Sequence, residues 1–340
     1  MKPILALDCR IDRGRASSYT RVLDLLRGGA EVAEIPYVEW FGGPCEAPVL
    51  WSTSPRLSGV PEGPKLIATL HDVNPLLPDN RNVFMRWFRS LRFRHGVGKL
   101  ATRADLVATV SEFARSSIAG EFPALASLLR VVPNYPSPRF CSAIAEGESK
   151  ALTALEIPDR CVLFVAALRR HKNWETLLRA WASLPVDLRR RHPLVLAGSG
   201  QRAGDLPLQI AGELGVADQL HLPGLVDEEL LPALYRRAAV FVFPSLAEGF
   251  GLPPLEAMAS GTAVISSTST SLPEILGEAC EYFDPLSVDE LATKLTDLLS
   301  SAERRRELSE LGLRQAAMWS SQRTGAAMSA ALEELLPVPT

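Results

Sequence analysis

From residue 161 onward the chain alternates, at short intervals, between almost wholly apolar runs and amphipathic ones. CVLFVAAL (161–168), PLVLAG (193–198), QLHLPGLV (219–226), AVFVFPS (239–245) and TAVISS (262–267) have strand length and strand composition. Between them lie NWETLLRAWASL (173–184), LPLQIAGELG (206–215), DEELLPALYRRA (227–238) and PPLEAMASG (253–261), followed by SVDELATKLTDLLS (287–300) with Ser287 as its cap. Strands separated by helices of this length are βαβ units, which give a parallel sheet. Strands apolar at nearly every position are covered on both faces.

The first half repeats the pattern less regularly. PILALDCR (3–10), KLIATLHD (65–72), DLVATVS (105–111) and LLRVVPN (128–134) are expected strands, and YTRVLDLLRG (19–28) an expected helix. The polar, proline-punctuated stretch 135–150 is the expected linker. A length of 340 residues suits two domains. The expected fold class is therefore α/β: two Rossmann-like, doubly wound parallel sheets whose carboxyl edges face a cleft. The domains are residues 1–140, 151–318 and a C-terminal segment 319–340. Ligands of open α/β sheets bind at those edges.

With 47% apolar and 22% charged residues, the composition excludes a disordered or collagenous chain. No apolar run approaches the ~18 residues of a membrane span, and the N-terminal MKPILALDCR meets acidic residues too early for a signal peptide. The expectation is a cytoplasmic protein. The five cysteines form no C-x-x-C pair and the five histidines no ligand spacing, so neither a disulfide framework nor a metal site is expected. The net charge of −3 is uneven: residues 1–145 carry 18 Lys/Arg against 13 Asp/Glu, and residues 146–340 carry 18 against 26. Opposite signs suggest modules with different partners.

The most informative segment is PSLAEGFGLPPLEAMASG (244–261). Glycines break any single helix across it, and Pro253 and Pro254 suit a helix start. Glu248 then falls on the loop after a strand and Glu256 in the first turn of the next helix. The amides of Gly249, Phe250, Gly251 and Leu252 lie beside a helix N-terminus, where anions are favoured. Carboxylates accept hydrogen bonds from sugar hydroxyls, while amides donate to phosphate oxygens. The plainer alternative is a capped helix after a strand turn. Arg169, Arg170, His171 and Lys172 directly follow another strand and lie at the same edge, where cations neutralise a diphosphate. The plainer alternative here is a solvated loop.

The strand, the basic K-N loop, LAGSG and the E-x7-E pair together resemble the retaining glycosyltransferases of family 4, with the two-domain GT-B fold. The resemblance spans nearly the whole chain and is strongest over 160–300. VVPNYPSPRF (131–140), LIATLHDVNPLLPD (66–79) and ATVSEFAR (108–115) match further segments of that family. It implies that Glu256 holds the ribose of a nucleotide sugar and that Glu248 contacts the donor hexose. Lys172 would sit on the diphosphate, with Arg169 or Arg170 assisting. The base would dock near Gly198 and the loop Gly224–Val226, and His71 would lie near the anomeric carbon. A mannosyltransferase-like branch with GDP-mannose as donor is the expectation, without a metal or other cofactor; no D-x-D occurs. The last helix, with Trp319 near its start, would return to the first domain. Two places depart from the family pattern. Ala167 stands where many members have arginine, and Ser17 and Ser18 replace a glycine-rich turn.

Residues 81–103 hold Arg81, Arg86, Arg89, Arg92, Arg94, Lys99 and Arg103 without an acid, interleaved with Phe84, Trp87, Phe88, Leu91 and Phe93. Such a stretch either lies on an anionic membrane surface, as a lipid-linked saccharide acceptor would suit, or faces a core with a solvated basic back. The acidic second half and the absence of a nucleic-acid motif argue against RNA. Two other readings compete. One is a non-catalytic binding or regulatory protein of the same ancestry. The other is a dinucleotide-dependent oxidoreductase, because Gly198-Ser-Gly200-Gln-Arg-Ala203 matches G-x-G-x-x-A after a strand.

Overall fold

The computed structural model describes residues 2–10, 18–55, 57–76, 83–144, 147–199 and 204–336. Ser17, Arg81 and the Gly200–Ala203 part of the fingerprint lie outside the described residues, as do the side chains of Ser18, Phe84 and Arg86.

In chain order the strands are β1 (Leu5–Asp8), β2 (Tyr37–Trp40), β3 (Val49–Ser52), β4 (Lys65–Thr69), β5 (Leu106–Thr109), β6 (Leu129–Val131), β7 (Val162–Val165), β8 (Leu194–Ala197), β9 (Leu220–Gly224), β10 (Val240–Phe243), β11 (Val264–Ser267) and β12 (Glu281–Phe283). The helices are α1 (Ser18–Val32), α2 (Val83–Arg103), α3 (Glu112–Glu121), α4 (Glu148–Ala154), α5 (Trp174–Ala182), α6 (Val186–Arg191), α7 (Leu206–Glu213), α8 (Leu231–Arg237), α9 (Leu252–Ala259), α10 (Leu272–Leu276), α11 (Val288–Ser300), α12 (Ala302–Ala317) and α13 (Ser321–Leu335). The chain divides into two compact units, one of Met1–Tyr135 with Trp319–Thr340 and one of Pro136–Met318.

The first unit has a six-stranded sheet in the order β2-β1-β3-β4-β5-β6, parallel throughout. Period-two alternation sends neighbouring residues to opposite faces. Leu5, Leu7, Val49, Trp51 and Ile67 join one apolar cluster with Val22, Leu23 and Leu26 of α1 and Met328, Ala331 and Leu332 of α13. Ala6, Leu50, Leu66, Ala68 and Val107 join a second with Val97 and Leu100 of α2 and Ile118 of α3. Burial on both sides is why these strands carry no polar alternation.

The second unit also has six parallel strands, ordered β12-β11-β10-β7-β8-β9. The chain enters at the centre with β7, winds outward to β9, returns to the other side of β7 with β10 and winds outward to β12. One face carries Phe164, Leu196 and Val242, packed against Leu177 and Trp181 of α5 and Leu295 of α11. All five cysteines are free, and burial pushes the Cys161 and Cys280 thiols up to about 12.

The structure departs from the sequence expectations at definable places. Helix α1 does not stop at Gly28 but continues to Val32. Its glycines serve packing: a Cβ on Gly325 of α13 would lie 2.5 Å from the Gly29 carbonyl oxygen, and one on Gly28 would lie 2.3 Å from the Tyr135 hydroxyl. The sequence pattern does not single out β2, β3 and β12, which are short and, in β2 and β12, partly exposed. The expected linker is largely part of the second unit. Phe140 packs edge-on against Tyr235 at 5.9 Å, Arg236 donates to the Cys141 carbonyl at 2.6 Å, and α4 begins at Glu148.

The α1–α13 crossing leaves no space for a side chain. Gly325→Val is expected to destabilise the protein by about 1–3 kcal/mol through overpacking, measured by denaturant unfolding. Unchanged stability would contradict the described crossing.

Candidate active site

The second sheet reverses its winding between β7 and β10, and ligands of open α/β sheets bind outside the carboxyl ends of the strands at such a point. β7 is followed by Ala166–Asn173, and β10 by Pro244–Gly251. Lys172 and Glu248 therefore reach the same place from different strands. Lys172 Nζ lies 2.6 Å from Glu248 Oε1, with the side chains 17% and 12% exposed. The ammonium also lies 5.2 Å from the centroid of the Phe243 ring.

The two loops are bonded to one another. The His171 carbonyl accepts from Leu246 N–H at 2.8 Å and from Ser245 Oγ at 3.1 Å. Arg170–Lys172 form a 3-10 turn that ends at Asn173 with φ +55°, and Asn173 Nδ2 donates to the Pro285 carbonyl at 2.8 Å. Arg169 and Arg170 are exposed at its start. Glu248 N–H donates to Thr270 Oγ1 at 2.9 Å, while Ser271 Oγ lies 3.1 Å from the Glu248 carbonyl and 3.0 Å from that of Phe250. Sequence reasoning missed Thr270 and Ser271. The available signal was the hydroxyl-rich run after β11, which falls on the same sheet edge.

Helix α9 starts at Leu252, one residue earlier than expected, with Gly251 as its N-cap at φ +110°. A Cβ at Gly251 would lie 2.7 Å from Leu272 Cδ2, so both conformation and space demand glycine. Pro253 and Pro254 bring no N–H to the first turn of α9, where a helix has no intrahelical partner for one. Because of the earlier start, Glu256 falls in the second turn rather than the first. It is 3% exposed, and its Oε2 accepts from the hydroxyl of the fully buried Tyr235 at 3.1 Å. Tyr235, which no sequence motif marks, thus helps to orient this carboxylate.

Gly198, after β8, has φ +141°, and a Cβ there would meet the Ala166 carbonyl oxygen at 2.0 Å. Its N–H donates to the Gly224 carbonyl at 2.7 Å, which brings together the two loops named for the base. Val226 is buried, whereas Leu225 beside it is 74% exposed. This explains Gly198 without a dinucleotide. It lets the loops after β7 and β8 approach, and it follows the second strand of its unit rather than the first, where the dinucleotide fingerprint belongs.

His71 belongs to the other unit, just beyond β4, and its Nε2 lies 3.2 Å from the Thr53 carbonyl oxygen. Since a carbonyl only accepts, Nε2 carries the proton and the neutral ring keeps Nδ1 as an acceptor. Burial pushes the imidazole down to about 4, against the hydrogen bond to Thr53, which favours the charged form. At the carboxyl ends of β1 and β3, Ser52 Oγ donates to buried Asp8 at 3.0 Å, and Arg10 Nη2 pairs with Asp8 at 2.7 Å.

Residues 148–315 match the family described as "Glycosyl transferases group 1". Over 264 residues the chain is 32% identical to a "Serotype-specific mannosyltransferase WbdA" of Escherichia coli; the match covers 75% of this chain but only 32% of that protein. It is 30% identical over 224 residues to a "GDP-mannose-dependent alpha-(1-6)-phosphatidylinositol monomannoside mannosyltransferase" of Mycolicibacterium smegmatis, covering 62% of this chain and 57% of that one. The chain thus spans about a third to somewhat over half of these relatives. Among solved structures, a sucrose-phosphate synthase from Thermosynechococcus elongatus superimposes with TM-score 0.76 over 98% of this chain and 99% of its own, at 20% identity.

The His71 environment has a pH signature. Unfolding returns the ring to its ordinary value of 6.5, so the unfolded chain binds the extra proton between pH 6.5 and about 4. The stabilisation is complete above pH 6.5 and is lost as pH falls through that window. The unfolding free energy of wild type minus that of His71→Gln, measured in denaturant, is expected to fall by about 2–3 kcal/mol between pH 7.5 and 4.5. An equal difference at both pH values would contradict the assignment.

Proposed function

We propose that the chain is a group 1 glycosyl transferase, of the family-4 kind with the GT-B fold, and that it moves a mannosyl group from GDP-mannose to a saccharide acceptor with retention at C1. The observation that carries this reading is the meeting of Lys172 and Glu248 at the reversal point of the second sheet. Mannose and GDP are favoured because relatives of this chain bear those words in their names.

Each residue then has a physical task. Lys172, with Arg169 and Arg170 at the start of its turn, balances the charge that builds on the leaving diphosphate, and the α9 N-terminus adds amide donors. Glu248 accepts from hexose hydroxyls. Glu256, oriented by Tyr235, accepts from the ribose. The base lies along Gly198 and the Gly224–Val226 loop. The departing phosphate takes the acceptor proton on the same face of the sugar that the acceptor attacks, so one configuration is kept. No divalent cation is required in this scheme, since protein groups supply the positive charge.

Lys172→Ala is expected to lower kcat by about 10²–10³, and EDTA to leave wild-type turnover unchanged, both measured with GDP-mannose as donor. Unaltered turnover in the variant, or loss of wild-type activity with EDTA, would contradict the scheme.

The acceptor is proposed to be a saccharide or a polyprenyl-linked saccharide used in polysaccharide or glycolipid synthesis, at the cytoplasmic face of a membrane. Helix α2 supports this. Its later part buries Val97 and Leu100, while Trp87, Phe88 and Leu91 are 58%, 47% and 49% exposed among arginines. Apolar side chains ringed by cations suit an anionic bilayer surface. No helix among the described residues is long and apolar enough to cross a membrane. Wild type is expected to sediment with phosphatidylglycerol vesicles, and reversing the charge of Arg86, Arg89 and Arg92 to abolish this. Equal sedimentation of both would remove the membrane from the proposal.

A further inference from the structure

Lys172 and Glu248 serve different parts of the donor, the diphosphate and the hexose, yet here each holds the other. The contact is short, at 2.6 Å, and mostly shielded from solvent. Among the described residues neither side chain has another charged partner. The backbones cannot separate easily. The His171 carbonyl is bonded to Ser245 and Leu246, and the Glu248 peptide groups are bonded to Thr270 and Ser271. The pair therefore opens by side-chain rotation, and whichever charge is left without a partner in this half-buried place carries a desolvation cost.

We infer that this ion pair makes the site select the whole nucleotide sugar over the free nucleoside diphosphate, with Glu248 as the specificity-determining residue; the inference rests on the donor roles proposed above. A free diphosphate offers an anion to Lys172 and nothing to Glu248. Accepting it takes Lys172 from Glu248 and strands a mostly shielded carboxylate without its partner. The complete donor offers oxygen anions to Lys172 and hydroxyl donors to Glu248, so both groups exchange one partner for another. Occupation of the hexose position and of the diphosphate position are thereby coupled, and coupling of this kind is reciprocal. Once the hexose has left with the acceptor, Glu248 recaptures Lys172 and weakens the hold on the remaining diphosphate. The same pair that discriminates on entry promotes product release.

The test is calorimetric titration of GDP and GDP-mannose, without acceptor, into wild type, Glu248→Gln, Lys172→Met and the double variant, each checked for cooperative thermal unfolding. Glu248→Gln is expected to bind GDP about 5- to 150-fold more tightly than wild type, the usual range for a coupling of two sites, and to lose the preference for GDP-mannose. In the Lys172→Met background the same substitution is expected to leave GDP affinity unchanged. Glu248→Asp, too short to keep the contact, shifts affinity in the same direction and serves if the glutamine variant does not fold. Unchanged or weaker GDP binding by folded Glu248→Gln overturns the inference while leaving the donor site standing. So does an equal gain in the Lys172→Met background, which would indicate through-space repulsion rather than a released partner. Failure of wild type to bind GDP, UDP or ADP overturns the donor reading and the inference together.

Discussion

The second sheet winds out from β7 in one direction and then out from β10 in the other, and the candidate site depends on that reversal. Two crossover connections leave adjacent strands on opposite faces of the sheet, which opens space above their carboxyl ends. Whatever follows β7 and β10 in sequence must line that space, and Lys172 and Glu248 do follow them. The side chains below are closed apolar packing: Phe164 on one face, and Phe241 and Phe243, stacked 6.1 Å apart, beside the site. A rigid apolar floor under two charged loops excludes water from one side of the ion pair and strengthens it.

Around that point the chain places its charges with little freedom. Asn173 and Thr270 adopt positive φ, at 55° each, in loops that hold Lys172 and Glu248. Gly251 and Gly198 sit where a Cβ would strike a neighbour. Tyr235 is fully buried and spans the interior to reach Glu256, while its own carbonyl accepts from Thr262 Oγ1 at 2.7 Å. Such positions are expensive in a loop free to choose its shape, and they are tolerated where geometry at an active site is being fixed. The first unit follows a different economy. Its sheet is buried on both faces, and α13 from the far end of the chain closes one of them through the Gly29–Gly325 approach.

The sequence makes some of this legible and hides the rest for identifiable reasons. Strands β7, β8, β10 and β11 are readable because burial on both faces removes polar residues, so CVLFVAAL and AVFVFPS stand out against their neighbours. Strand β2 is not, since an edge strand carrying Glu39 has one apolar partner face and no clear period. Gly28 reads as the end of a helix because glycine costs stability in one. The helix continues because that cost is offset by close contact with Tyr135 and α13, which no local pattern announces. The two glutamates and the lysine are visible by spacing and resemblance. Tyr235 and Thr270 are not, because they act across gaps of 21 and 22 residues, through contacts that exist only once the sheet has formed.

The central claim is that the loops after β7 and β10, together with α9, hold a nucleotide sugar. A crystal structure of the protein with GDP addresses it most directly. The account predicts the diphosphate at Lys172, now turned away from Glu248, with the ribose hydroxyls at Glu256 and the base beside Gly198 and Leu225. A nucleotide bound elsewhere, with the Lys172–Glu248 contact intact, would contradict it.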